Sequence, residues 1–352
     1  MSEEKREKVY FHFLNDELQD DWNKYVINSS SASFIHHTAW KEIVENIYGH
    51  KPYYLMAFVD KKVAGVLPLF LISIPLLGKV LASGVFGSYG GICADNIDVV
   101  QSLMKEGENL ANSLEVKYIE IKNFNNFNLQ NEKWGKYLNY YTLIIKLNKD
   151  PEVVWNNITK KARQNIRKAL NSNVTVISGN EYIDDFYNLM AYNMKLLGTP
   201  VHSKKFYEAI LKKFKGDAEL FIAKLSEKTI SVALTIKFGN YIFGYANAAH
   251  PDYLVYKPNF LIYWEIIKSV ANSNIEFFDL GRSLHNSGTF IFKQNFGAYP
   301  VPLYYDYYLN KIEAIPAINQ ENKKLKLATN IWSHLPLSVT KMVGPHLIKY
   351  IA

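Results

Sequence analysis

The sequence predicts an α/β protein with mixed sheets in which one structural unit occurs twice. Two observations support that prediction. Tyr53–Ser73, YYLMAFVDKKVAGVLPLFLIS, reads as strand, charged turn and strand, and Glu219–Tyr245, ELFIAKLSEKTISVALTIKFGNYIFGY, repeats the pattern with one further strand. Each hairpin then leads into a loop of aromatic and small residues, a helix and a strand. The helices place apolar residues at helical spacing (Val99, Leu103 and Leu110; then Leu261, Trp264, Ile267 and Val270), and the strands read VKYIEIK and IEFFDLG. These blocks suggest a first domain over 1–147, a second over 148–308 and a C-terminal helical tail over 309–352.

The remaining elements follow in order. The opening MSEEKREKVYFHF is charged and lacks the apolar stretch of a secretory signal. Gly65–Gly87, GVLPLFLISIPLLGKVLASGVFG, is about as long and apolar as a membrane span, but Pro68, Pro75, Gly78 and Lys79 cut it into pieces of strand length. The reading is two buried strands joined by a turn, with a membrane-dipping hairpin as the alternative. Ser178–Gly216 has room for two ordinary helices.

Composition narrows the function classes. At 352 residues, 48% hydrophobic and 14% aromatic, the chain can bury the cores of two domains, which excludes a disordered protein. A single cysteine, Cys93, excludes an internal disulfide framework and a multi-cysteine metal site, and suits a reducing cytoplasm. No spacing of histidines, cysteine and carboxylates reads as a metal centre. The net charge of +7 favours anionic partners: phosphates, nucleic acid or acidic lipid headgroups.

Hairpin, helix and strand in this order suit a GNAT-like fold by analogy, in which a splayed sheet binds an acyl donor. The usual acetyl-CoA signature, Gln or Arg followed by Gly-x-Gly or Gly-x-Ala at the start of the long helix, is absent from both copies, so the sequence locates no backbone nest for a pyrophosphate. Eight segments, in order and spacing, add a resemblance: FIHHTAW (Phe34–Trp40), YGH (Tyr48–His50), GVLPLFLI, YGGICAD, KKARQNIRKA (Lys160–Ala169), FDLGRS (Phe278–Ser283), GTFIFKQNFGA (Gly288–Ala298) and WSHLPLSVTKMVGPHL (Trp332–Leu347). Together they resemble the Fem-type aminoacyl- and acyltransferases with tandem GNAT domains, most closely the FemAB-related proteins associated with exosortase (PEP-CTERM) exopolysaccharide loci. The chain departs from Fem enzymes whose second domain carries a long helical arm, and so offers no such arm for docking transfer RNA.

GTFIFKQNFGA sets Lys293 among Phe290, Phe292 and Phe296 and between Gly288 and Gly297. On spacing alone this is a strand-edge lysine with its stem on aromatics and its ammonium in water. The resemblance implies a catalytic role: a fixed cation in a dry site stabilises the negative charge that develops on the carbonyl oxygen during acyl transfer. In KKARQNIRKAL, Lys160, Lys161, Arg163, Arg167 and Lys168 form a basic helix on which Arg163 and Arg167 share a face. This is either a solvated face or, as the resemblance implies, a grip for a diphosphate.

Asp279 and Arg282 stand where a strand meets a glycine turn, either in a site or as an ion pair holding the turn. Tyr245, Asn247 and His250 after the second hairpin, with Tyr89, are candidates for a cleft lining; His36, His37 and His50 are candidates for a general base or for packed and capping roles. In the tail, Lys323, Lys324, Lys326, Lys341 and Lys349 interleave with Trp332, Leu335, Leu337, Met342, Leu347 and Ile351, a pattern that fits either an anionic bilayer surface or a helix pair docked on the core.

Residues and resemblance together predict a transferase, cytoplasmic or peripheral at the inner face of the membrane. It would move an acyl or aminoacyl group onto an amine or hydroxyl of a diphosphate- or lipid-linked cell-envelope glycan or peptidoglycan precursor. No bound cofactor is expected, and the donor is either aminoacyl-tRNA or an acyl thioester. The alternatives are a CoA- or acyl-carrier-dependent N-acyltransferase and a non-catalytic protein that binds transfer RNA or a diphosphate-linked glycan. DNA is not an expected partner.

Overall fold

The computed structural model describes residues 8–127, 132–316 and 323–351. Two compact units emerge. One runs as far as Asn139 and takes in Pro302–Pro316; the other comprises Tyr140–Val301 with the C-terminal helices.

The first unit begins with β1 (Tyr10–Phe13), α1 (Gln19–Ile27) and α2 (Thr38–Tyr48). Asp20 and Asp21 favour the first turn of α1, which buries Trp22 and Val26 one turn apart; α2 starts where His37 accepts from Ala39 N–H and stops at Gly49, whose φ of 72° suits glycine. Antiparallel β2 (Lys51–Val59), β3 (Lys62–Ile74) and β4 (Gly78–Ser83) follow, then the short β5 (Cys93–Ala94), α3 (Ile97–Ser113) and β6 (Tyr118–Asn123). Asn96 caps α3, which buries Val99, Leu103 and Leu110 as their spacing predicts. Its close seat on β3 requires Gly65, where a Cβ would lie 2.7 Å from Val99.

Gly65–Gly87 is indeed two buried strands and a turn, with one correction: Pro68 does not cut the first. β3 runs through it because Pro68 falls between two pairings on one side, Leu69↔Ser83 with β4 and Val66↔Cys93 with β5, so its missing N–H breaks no ladder bond there.

The chain continues through β7 (Trp134–Lys146), α4 (Pro151–Asn157), α5 (Lys160–Asn171), β8 (Val174–Ser178), α6 (Ile183–Leu196) and α7 (Lys204–Lys213). Then come antiparallel β9 (Ala218–Leu225), β10 (Lys228–Phe238) and β11 (Tyr241–Ala249), followed by α8 (Pro258–Ser269), β12 (Phe277–Leu284) and the short α9 (Gly288–Gln294). β13 (Tyr299–Leu309) returns to the first unit, where Tyr304–Leu309 pair antiparallel with β6. The chain closes with α10 (Lys323–His334) and α11 (Leu337–Ile348).

Each unit thus repeats strand, two helices, three antiparallel strands, helix and a strand parallel to the third. The strand orders are β1-β2-β3-β4-β6-β13 and β7-β12-β11-β10-β9-β8. The linear division at 147 and 308 differs from this arrangement because β13 joins the first sheet. One core packs Leu55, Leu67, Leu81, Val99, Leu103 and Ile119; the other packs Leu143, Ile166, Leu261, Ile267, Phe278 and Phe296.

α10 and α11 dock on α6: Trp332 is buried, Lys341 donates to Asn188 Oδ1 at 2.5 Å, and Gly344 lies so close to Val201 that a Cβ would approach its carbonyl to 3.0 Å. Leu327, Ile331 and Met342 stay exposed. The side chains of Lys323, Lys324 and Lys326 lie outside the described residues.

Candidate active site

The sheet of the second unit parts between β11 and β12. These parallel strands pair at Tyr241↔Phe277, Ile242↔Phe278 and Phe243↔Asp279, and no register pair joins them from Gly244 and Leu280 onward. Irregularities on both sides turn the strands away: a shift between Leu234 and Thr235 in the β10–β11 ladder, and one between Asp279 and Arg282 in the β12–β7 ladder. Gly281 sits in the second at φ 77°, a conformation cheap for glycine alone. Tyr245 and Asn247 stand on β11 beyond its last pair with β12, half-buried and exposed respectively, and Arg282 stands on β12 beyond the same point.

α9 returns to this break. Ser287 caps it by accepting from Phe290 N–H, while Phe290 and Phe296 anchor it in the core. Lys293, 7% exposed, turns back to β12 and donates through Nζ to the carbonyls of Gly281 (2.8 Å) and Arg282 (3.1 Å). It is therefore a helical residue that spans the bulge, not a strand-edge lysine with its ammonium in water. Burial lowers its pKa to about 8; Asp279 opposes that shift, and the Arg282 guanidinium adds to it.

Asp279, fully buried, accepts from Gly281 N–H at 2.7 Å and from the Thr142 hydroxyl, so the carboxylate stiffens the bulge that Lys293 spans. Arg282 lies over the Tyr140 ring, 4.4 Å from its centroid. The Ser283 hydroxyl beside it is buried without a partner among the described residues. Thr142 and Ser283 escaped sequence reasoning because each sits singly in an apolar or turn-like run; only the register that places them opposite or next to Asp279 and Arg282 reveals them.

The basic helix α5 starts beside α9. Thr159, its cap, donates through its N–H to the Asn295 carbonyl at 3.0 Å, and Gly297 lies against Asn157, where a Cβ would come within 2.9 Å of the Asn157 carbonyl. The chain is closely approached at Gly297, whereas nothing lies within 4 Å of a Cβ at Gly288. Arg163 and Arg167 diverge in role: Arg163 Nη1 donates to the carbonyls of Trp155, Asn156 and Ile158, closing the end of α4, while the exposed Arg167 lies over the Trp155 ring. Lys161 is exposed.

His36 and Tyr89 belong to the first unit, around the loop between β4 and β5. His36 is 1% exposed, donates from Nε2 to the Gly91 carbonyl (3.0 Å) and accepts at Nδ1 from Ser33 N–H (3.0 Å). Burial is the largest influence and opposes its charge, but the Cys93 sulfur and the backbone hydrogen bonds to Gly91 and Ser33 together outweigh it, so its pKa is raised. Tyr89 is buried against Phe124, His37 caps α2, His50 packs near Tyr48 and Phe86, and His250 stacks on Tyr192. Among the described residues no group of three or more His, Cys, Asp or Glu side chains is arranged to hold a metal ion.

Residues 156–294 match the family described as the acetyltransferase (GNAT) domain, a span from α4 through Lys293. No curated protein sequence matches the chain. Among solved structures it is similar to FemX, at 15% identity and a TM-score of 0.67 over 86% of this chain and 98% of that one. It is similar also to a tandem GNAT protein from the clavulanic acid biosynthesis pathway (9% identity, TM-score 0.55, 88% of this chain and 100% of that one). A third is the C-terminal domain of a putative lysylphosphatidylglycerol synthetase from Agrobacterium fabrum (10% identity, TM-score 0.54, 90% and 95%). The chain has the GNAT fold, built as a tandem, and by the domain that it carries it is an acyltransferase.

Proposed function

We propose that the chain is a Fem-type transferase that moves an aminoacyl or acyl group onto an amine or hydroxyl of a cell-envelope glycan or peptidoglycan precursor. The observation behind this reading is the state of Lys293. An ammonium has three donors; two are fixed on the Gly281 and Arg282 carbonyls, which leaves one N–H for a substrate where the strands part. In this reading the acceptor's nitrogen or oxygen attacks the donor's carbonyl carbon, and the π electrons move onto oxygen. Lys293 donates its remaining hydrogen bond to that oxyanion. Collapse expels the ester oxygen of transfer RNA or the sulfur of a thioester, and the proton released by the acceptor neutralises the leaving group.

The likeness to FemX and to a lysylphosphatidylglycerol synthetase domain supports a bulky envelope acceptor. The resemblance of its motifs to those of exosortase-associated proteins favours an exopolysaccharide. The helix starts favour a donor other than acetyl-CoA: Asn96 already occupies an N–H at the head of α3, and Pro258 removes one at the head of α8. A charged transfer RNA would place the reaction in the cytoplasm. Among the described residues no helix is long and apolar enough to cross a membrane.

Mass spectrometry of an envelope-precursor extract incubated with the protein and charged transfer RNA is expected to show products heavier by one aminoacyl group. Calorimetric titration with acetyl-CoA is expected to show weak or no binding. Micromolar binding of acetyl-CoA with consumption on adding acceptor would replace this reading with a CoA-dependent acyltransferase. Because Arg163 is engaged by α4, a diphosphate on the acceptor falls to Arg167 and Lys161. Arg167→Ala is expected to raise KM for the acceptor about fivefold with kcat nearly unchanged. Retained glycan-diphosphate binding without turnover of any donor would favour the binding-protein alternative.

A further inference from the structure

The apolar stretch Gly65–Gly87 buries its strands but not its turn. Leu77 N–H donates to the Ile74 carbonyl at 3.1 Å, closing a turn over Ile74–Leu77 with Pro75 at its second position and Leu76 at its third. Leu76 has φ 63°, a conformation that favours glycine or asparagine. Its side chain is also fully exposed, at 105%, and that of Leu77 is 62% exposed. Two unfavourable features meet in one residue: left-handed backbone on a leucine, and its whole apolar side chain in water. An asparagine would relieve both.

Three exposed lysines stand behind the tip. Lys79 follows Gly78 directly; Lys117 N–H donates to the Lys79 carbonyl at 2.8 Å, and the Lys117 stem lies 3.1 Å from where a Gly78 Cβ would be. Lys311 N–H donates to the Lys117 carbonyl at 2.9 Å, and its ammonium pairs with Glu115 at 3.0 Å. The base of the tip is net positive, and the whole chain carries +7. A convex tip with two leucines offers far less than the roughly 1,000 Å² that a specific protein interface needs. Apolar side chains projecting ahead of lysines match the layered chemistry of an anionic bilayer, acyl region first and headgroups behind.

We propose that the β3–β4 tip, Leu76 and Leu77 backed by Lys79, Lys117 and Lys311, inserts into the interfacial layer of an anionic lipid bilayer. The proposal is independent of the chemistry at Lys293 and is read without turnover. The probe is co-sedimentation of the full chain with vesicles of 70:30 phosphatidylcholine:phosphatidylglycerol, beside phosphatidylcholine alone, in about 0.1 M salt, where charge attraction still reaches about 10 Å.

Wild-type protein is expected on the anionic vesicles. Leu76→Asn/Leu77→Ser is expected to bind them at least about tenfold more weakly while melting no lower, since asparagine suits the turn. Lys79→Gln/Lys117→Gln is expected to lose the preference for anionic over neutral vesicles. Failure of the wild type to bind anionic vesicles, or undiminished binding by the leucine variant, would overturn the proposal. So would a wild-type dimer that the leucine variant converts to monomer, because the tip would then be a contact between copies.

Discussion

Lys293→Met is expected to lower kcat by about a hundredfold or more while donor KM changes little, the size of effect seen when one oxyanion donor is lost. Methionine keeps nearly the length and suits a buried position, so the variant should fold, and circular dichroism with a melting curve checks that. The wild-type rate is expected to fall as pH rises past about 8, where Lys293 gives up the proton that makes it a donor. Stability runs the other way. The folded pKa, about 8, lies below the 10.5 of an ordinary lysine, so between them the unfolded chain holds a proton that the folded chain has released. Stability of the wild type relative to Lys293→Met should therefore rise with pH across that window, by up to about 3 kcal/mol. A variant turning over at the wild-type rate would remove Lys293 from the chemistry; a rate that climbs through pH 8 would make it a base.

The second large effect is on stability, at Gly91. The loop between β4 and β5 is held from several sides: Gly90 N–H on the Lys122 carbonyl, Ile92 N–H on Asn123 Oδ1, and His36 Nε2 on the Gly91 carbonyl. Asn123 in turn donates to Asp306 Oδ2 at 2.8 Å, and Tyr305 donates to the Ser88 carbonyl at 2.6 Å. A Cβ at Gly91 would lie 2.2 Å from Asn123 Oδ1 and 2.8 Å from the Lys122 carbonyl oxygen, and neither can retreat without breaking this network. Gly91→Ala is expected to cost about 3 kcal/mol, through overpacking and lost buried hydrogen bonds. Gly288→Ala, at the open start of α9, should cost almost nothing. Urea unfolding of the two variants checks the contrast; equal midpoints would mean that the loop yields.

What the sequence by itself determined is whatever repeats within a few residues. The spacing of Val99, Leu103 and Leu110 encodes α3, the alternation across charged turns encodes β2–β3 and β9–β10, and the recurrence of these blocks encodes the tandem. Helical and strand periods are set by neighbours along the chain, so they are legible there. The importance of Lys293 was legible only through its motif, since spacing alone described a solvated lysine. What only the tertiary structure decided depends on partners distant along the chain. Asn123 meets Asp306 across 183 positions, β13 pairs with β6 in the first unit, and Arg163 spends one nitrogen on the end of α4. His36 is sealed under a loop, and Lys293 reaches back to two carbonyls exposed by a bulge. A bulge or a parted strand pair leaves no periodic trace, because it arises where two ladders disagree in register, and register belongs to the pair of strands, not to either one.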